Sequence, residues 1–187
     1  MTDRFSICGC IVAFAAFVSE ARAQGMGGEW ERVEVEPCVD VGSREICVDV
    51  ERQDIPESPL FAFRGEAEVD LSLGVMAAVL LNDAIGPEWV ALMNLSEEIR
   101  RTGEQSKIIR QGYDLDWPVQ DRDYVLLEEA IFDHENRVFT LNFRSVEDPE
   151  VPVFDDYIRA EAITTFWRLS QVPGGELVRV EVEVFTD

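Results

Sequence analysis

Hydrophobic and polar positions alternate with a period of two along much of this chain, the pattern of strands with one wet face. Val178, Val180, Val182 and Val184 are interleaved with Arg179, Glu181 and Glu183, the clearest strand in the sequence. Phe61, Phe63, Gly65, Ala67 and Val69 alternate in the same way with Ala62, Arg64, Glu66, Glu68 and Asp70. Further strands are predicted around Lys107–Asp114, Tyr124–Phe132 and Val138–Val146, followed by a long loop from Glu147 to Asp156 that carries Pro149 and Pro152. Tyr157–Leu169 and Leu177–Phe185 close the set as a hairpin across Val172-Pro-Gly-Gly175. Only one segment reads as a strong helix. Ser72 is its N-cap, it runs to about Asn82, it is apolar on most sides and therefore buried, and Gly86-Pro87 ends the region. Residues 88–101 read as a helical turn before the next strand. Short strands in series with one such helix describe an α+β domain built on an antiparallel sheet.

The first residues have a different pattern. Met1-Thr-Asp-Arg4, an apolar run from Phe5 to Val18 and then Ala21-Arg22-Ala23 form a charged start, an apolar middle and a small-x-small site. This predicts a secretory signal peptide over 1–23, cleaved after Ala23, with an uncleaved anchor as the alternative. The run is too short to cross a bilayer. Residues 24–29 are then a flexible, Gly-rich N-terminus, and 30–187 form one domain. The protein is expected to be exported, periplasmic or secreted.

Net charge is −22, and Lys107 is the single lysine. Such a surface repels phosphate backbones and anionic headgroups, which argues against nucleic acid as a partner and against stable electrostatic docking on membranes. Of the four cysteines, Cys8 and Cys10 would leave with the leader, and Cys38 and Cys47 remain. Gly42-Ser43 suits a two-residue hairpin turn. Counting outward from it, Val41 faces Arg44, Val39 faces Ile46 and Cys38 faces Cys47, a close pair that fits a disulfide. A bulge near Pro37 would break this register and leave two free thiols. Without a Cys-x-x-Cys, redox catalysis is not indicated.

No sequence pattern for a nucleophile, a zinc helix or a phosphate loop is present. His134, the single histidine, lies in Asp133-His-Glu-Asn136, where two strands should turn, and reads as a solvated hairpin tip. Asp114, Asp116, Asp121 and Asp123 match no calcium-loop spacing and read as turn residues. Neither an enzyme nor a metal or cofactor site is expected.

Asp116-Trp117-Pro118-Val119-Gln120-Asp121-Arg122-Asp123 opens directly into a strand. This segment resembles the Trp-Pro…Arg-Asp signature of START domains, the lipid-binding domains related to the steroidogenic acute regulatory protein. Trp30, Phe61–Asp70, Ser72–Asp83 with Trp89, Phe143–Asp148 and Phe166–Leu169 agree with that family in order and spacing, so the resemblance covers about Trp30 to Asp187. It implies a helix-grip fold, in which a curved antiparallel sheet grips a long C-terminal helix around a lipid-sized tunnel. It also implies non-catalytic binding, and transfer, of a hydrophobic ligand, most simply a lipid, by a monomer that makes transient membrane contact.

Gln111 and Asn142 fall at strand positions that resemble head-group contacts of the ceramide carriers. Tyr113, Trp117, Arg144 and Trp167 complete the expected cavity set, and Arg159 is a further candidate anchor. The Arg and Glu that ceramide carriers place around the helix-end Trp correspond here to Gly86 and Val90, so ceramide is not supported. Pattern and resemblance disagree at one strand. Alternation points Phe139, Leu141 and Phe143 inward and leaves Asn142 wet, whereas the resemblance places Asn142 in the tunnel. The sequence also stops at Thr186-Asp187, before the family's closing helix, and we expect a truncated chain. The alternatives to a carrier are a protein-interaction module completed by a partner, or a polyketide-cyclase-like enzyme.

Overall fold

The structure, a computed structural model, describes residues 29–33, 38–41, 44–55, 61–175 and 177–186. The expected leader, the Gly-rich segment 24–28 and the Gly42-Ser43 turn lie outside the described residues. Eleven strands are seen among those described: β1 (Trp30–Arg32), β2 (Cys38–Val41), β3 (Arg44–Asp54), β4 (Phe61–Val69), β5 (Met93–Arg101), β6 (Ser106–Tyr113), β7 (Arg122–Asp133), β8 (Val138–Ser145), β9 (Ile158–Arg159), β10 (Ala162–Gln171) and β11 (Val178–Thr186). Between β4 and β5 come helix α1 (Leu73–Leu80), a 3-10 turn at Asp83–Ile85 and helix α2 (Gly86–Trp89).

The main sheet runs β1-β3-β4-β11-β10-β8-β7-β6-β5, with β2 added to β3 and β9 added to β7. Every pairing is antiparallel except β7 with β9. β4 lies beside β11 and β5 is the far edge, so the chain between them must cross one face of the sheet. It crosses as α1, the turn and α2. That face is called inner here. Met76, Ala77 and Leu80 of α1 pack there on Ala130, Phe139, Leu141, Leu169, Val178 and Val180. These sheet residues sit at alternate positions of four strands, and the period-two reading had placed Phe139, Leu141, Val178 and Val180 on the apolar face.

Ser72 caps α1 as its residue type predicts. Its backbone is extended, and its Oγ accepts the Val75 amide at 3.3 Å. Two other features of this segment differ from the sequence reading. Val75 and Ala78 are exposed, so α1 buries one side only. Gly86-Pro87 opens α2 rather than closing the region, with proline in the first turn, where its missing N–H costs nothing. The predicted strand Tyr157–Leu169 is likewise divided. Ile158–Arg159 pairs with β7, and only from Ala162 onward does the chain join β11. The Ala62 face of β4 is not uniformly wet either, because Ala62 is buried with Ile55 and Phe185 under Trp30 and Ile163.

The stapled hairpin has the counted register: Val41↔Arg44, Val39↔Ile46 and Cys38↔Cys47, with the cysteines 3.9 Å apart at Cα and joined as a disulfide. β3 meets β4 only from Val48 onward, so the disulfide arm projects beyond the sheet.

On the outer face the loop after β8 lies flat against the strands. Val151 packs on Ile108 and Val125, and Arg100 pairs with Asp148. Asp123 is wholly buried beneath this loop. It accepts Arg110 Nε at 2.8 Å, Arg159 Nε at 2.8 Å and Arg159 Nη2 at 3.1 Å. Arg159 also donates to the Pro152 carbonyl at 3.0 Å, and the Arg110 guanidinium stacks 3.9 Å from the Phe154 ring. Burial alone would raise the Asp123 carboxyl, but the hydrogen bonds and charges of Arg159 and Arg110 outweigh it and hold the group below its ordinary value. Asp123 was read as a turn aspartate and is instead the lock that fastens this strap.

Candidate functional site

The inner face not covered by α1 forms a cavity of about 170 Å³. Odd positions of β6, Gln111 and Tyr113, and even positions of β7, Tyr124, Leu126 and Glu128, form one wall. Leu141 and Phe143 of β8, Thr165 and Trp167 of β10, and Val182 and Val184 of β11 form the floor and the other wall. Leu80, Asn82, Asp83, Trp89 and Val90 reach over the top. Gly86 lets α2 come this close. A Cβ there would stand 2.9 Å from Met93 Sδ and 3.2 Å from Ser96 Cβ, so a side chain would require Met93 or the helix to shift.

The lining is mostly apolar and its aromatic rings meet edge to face, Trp89 with Trp167 at 6.0 Å and Tyr113 with Tyr124 at 5.7 Å. Tyr113 Oη donates to Gln111 Oε1 at 3.2 Å. Burial, and to a smaller degree the neighbouring Tyr124, pushes the Tyr113 phenol up, so it remains a neutral donor at physiological pH.

Gln111, Tyr113 and Trp167, three of the six expected cavity residues, are brought together here. The other three are elsewhere. Trp117 is 91% exposed in the β6–β7 loop, away from the cavity wall. Asn142 faces outward, opposite the turned-in Leu141 and Phe143, as alternation required and the resemblance did not. Arg144 stands on the same outer side, 61% exposed and 4.0 Å from Glu129. Arg159 belongs to the outer lock. Gly86 and Val90 do line the cavity, and neither brings charge to it.

Charge enters elsewhere. Lys107 and Glu128, side by side on β6 and β7, turn inward under the 3-10 turn. Lys107 Nζ pairs with Asp83, donates to the Leu81 carbonyl at 3.2 Å and lies 3.2 Å from Glu128 Oε1. Glu128 Oε2 is buried with no hydrogen-bond partner, as is Thr165 Oγ1. Burial pushes the Glu128 acid up to about 7, against the attraction of Lys107 and with added repulsion from Asp83 and Glu98. Sequence reasoning missed this group because adjacent Glu128 and Glu129 look like one solvated pair. The alternation of Tyr124, Leu126, Glu128 and Ala130 on one face was the available signal.

Among the described residues one group of metal-type ligands converges, Cys38, Glu45 and Cys47, and its two sulfurs are joined to each other. Asp114 binds Asn94, Asp121 accepts the Leu115 amide at 2.9 Å and Asp123 holds arginines, so the acids near Trp117 do not form a common cage. His134 is at the exposed β7–β8 turn, stacked on Phe132.

No family model matches the chain, and no curated protein sequence matches it. Solved structures do. The lipid transfer and protein localization domain of human StarD13 (DLC2) superposes with a TM-score of 0.69 at 18% identity, over 86% of this chain and 76% of that one. A STAR-related lipid transfer protein from Xanthomonas axonopodis gives 0.68 at 21% identity, over 84% and 81%. Human StAR-related lipid transfer protein 5 gives 0.67 at 18% identity, over 84% and 72%. With a crossing helical segment over an antiparallel sheet and a cavity between them, the chain has the START, or helix-grip, fold.

Proposed function

We propose that this protein binds a hydrophobic small molecule, most simply a lipid, without chemically altering it, and that it carries the ligand as an exported monomer. The observation that supports this reading is the apolar cavity itself. Leu126, Leu141, Phe143, Trp167, Val182 and Val184 face one another across a gap left by a sheet of START fold. Burying an acyl chain there gains roughly 0.8 kcal/mol per methylene. The cavity is smaller than the roughly 300–1,000 Å³ of common ligand sites. It therefore encloses part of an amphiphile, with the remainder lying along the inner face. The Cys38–Cys47 disulfide suits an oxidising compartment.

Native mass spectrometry of the full chain, incubated with a mixed lipid extract, tests this. A one-to-one adduct that is released on denaturation and lost in Phe143→Asp is expected. Folded protein that never takes an adduct would remove the carrier reading.

A further inference from the structure

The charged group at the covered end of the cavity is not needed to hold an apolar chain. Glu128 is 2% exposed, one of its oxygens meets Lys107 and the other meets nothing. The three donors of Lys107 are directed to Asp83, the Leu81 carbonyl and Glu128. One cation thus faces two carboxylates, in a place where an unsatisfied acceptor is costly. Among the described residues, Lys107 is the cation that acts on Glu128, and Arg101 of β5 is paired with Glu98. Glu98 of β5 adds negative potential, and the β8 neighbours Leu141 and Phe143 are apolar.

We propose, resting on the carrier reading, that this cavity selects single-chain amphiphiles with a primary ammonium head. The head docks against Glu128, and the chain runs along Leu141, Phe143 and Trp167. An ammonium brings donors for the orphaned oxygen and one positive charge for the unbalanced carboxylate, and such charge-assisted bonds are the stronger class. A hydroxyl brings a donor and no charge. A carboxylate or phosphate head meets Asp83 and Glu128 as like charges. The same pairing favours ionised Glu128, which in the empty site takes up its proton near pH 7. Binding therefore releases a proton and tightens as pH rises through neutrality.

Isothermal titration of the full chain with dodecylamine, dodecanol and dodecanoate, each below its micelle concentration, reads this directly. About 0.3 M salt screens the acidic surface. The expected result is one dodecylamine per chain, bound at least about tenfold more tightly than either other probe, and about tenfold more tightly at pH 8 than at pH 6. Glu128→Gln should lose that advantage and its pH dependence. Equal binding of dodecanol and dodecylamine leaves the carrier reading standing and overturns the head-group assignment. Preference for dodecanoate overturns it too, and moves the head to Arg122 at the other end of the cavity. Binding of none of the three overturns both. The wild-type series and its pH profile decide the matter even if the glutamine variant does not fold.

Discussion

Asp123 behaves unlike the aspartates of the loop that precedes it. It is wholly buried, held by Arg110 and Arg159, and it anchors the strap that carries Phe154 and Tyr157. Removing its charge leaves Arg159 with the Pro152 carbonyl and Arg110 with Glu97 but without their shared buried carboxylate, and such losses cost about 3–5 kcal/mol. Asp123→Asn should lower the urea-unfolding free energy by about that much and make the strap cleavable by protease. A loss below about 1 kcal/mol would show that the strap is held by packing instead. The Arg-Asp pair in the sequence was legible as a signature, yet nothing local distinguished its buried Asp123 from the turn acids around it. Partners thirteen residues before it and thirty-six after it decide its environment. Trp117 shows the converse. It was expected in the cavity set, but it stands exposed in the β6–β7 loop.

Most strands were legible, because alternation is a physical consequence of the pleat, but β5 (Met93–Arg101) was not, since it lies in the segment read as a helical turn. The residues Phe139, Leu141 and Phe143 predicted their own direction correctly, and the register of the first hairpin could be counted from its turn. What could not be read was which elements lie over each face. The second face of β4 and the outside of β7 are covered by segments distant in sequence, so their apolar content looked redundant. The disulfide arm gives a prediction at this scale. Because β2 pairs with β3 among the described strands, and that beyond the pairing of β3 with β4, reducing Cys38–Cys47 should release the arm alone. Amide exchange in β2 should accelerate, with the global unfolding midpoint unchanged. A closed loop of this size is worth roughly 2–3 kcal/mol in the chain-entropy account. A global loss of that order would show instead that the arm folds with the sheet.

For the whole molecule, two buried acids with opposite shifts shape the dependence of stability on pH. Glu128 keeps its proton up to about 7 in the folded state, whereas its ordinary value is 4.5. Between those values the folded form holds the extra proton, so stability falls as pH rises through that window. Asp123, held below its ordinary value, works the other way, and its contribution is lost only in stronger acid. Thermal melting from pH 5 to pH 8 should show the first slope in the wild type and its absence in Glu128→Gln. Identical slopes in the two proteins would mean that Glu128 is ionised throughout. The order of strands has another consequence, one that concerns synthesis. β11 joins β4 to β10, although more than a hundred residues separate β4 from β11 along the chain. While the protein is being made, β3 and β4 therefore wait as a ribbon until β11 emerges, with Phe63 lacking its neighbour Val184. Pairings of such long range form late. The Val182 and Val184 wall of the cavity arrives with that same strand, so on a growing chain the fold and its binding site are completed in a single event.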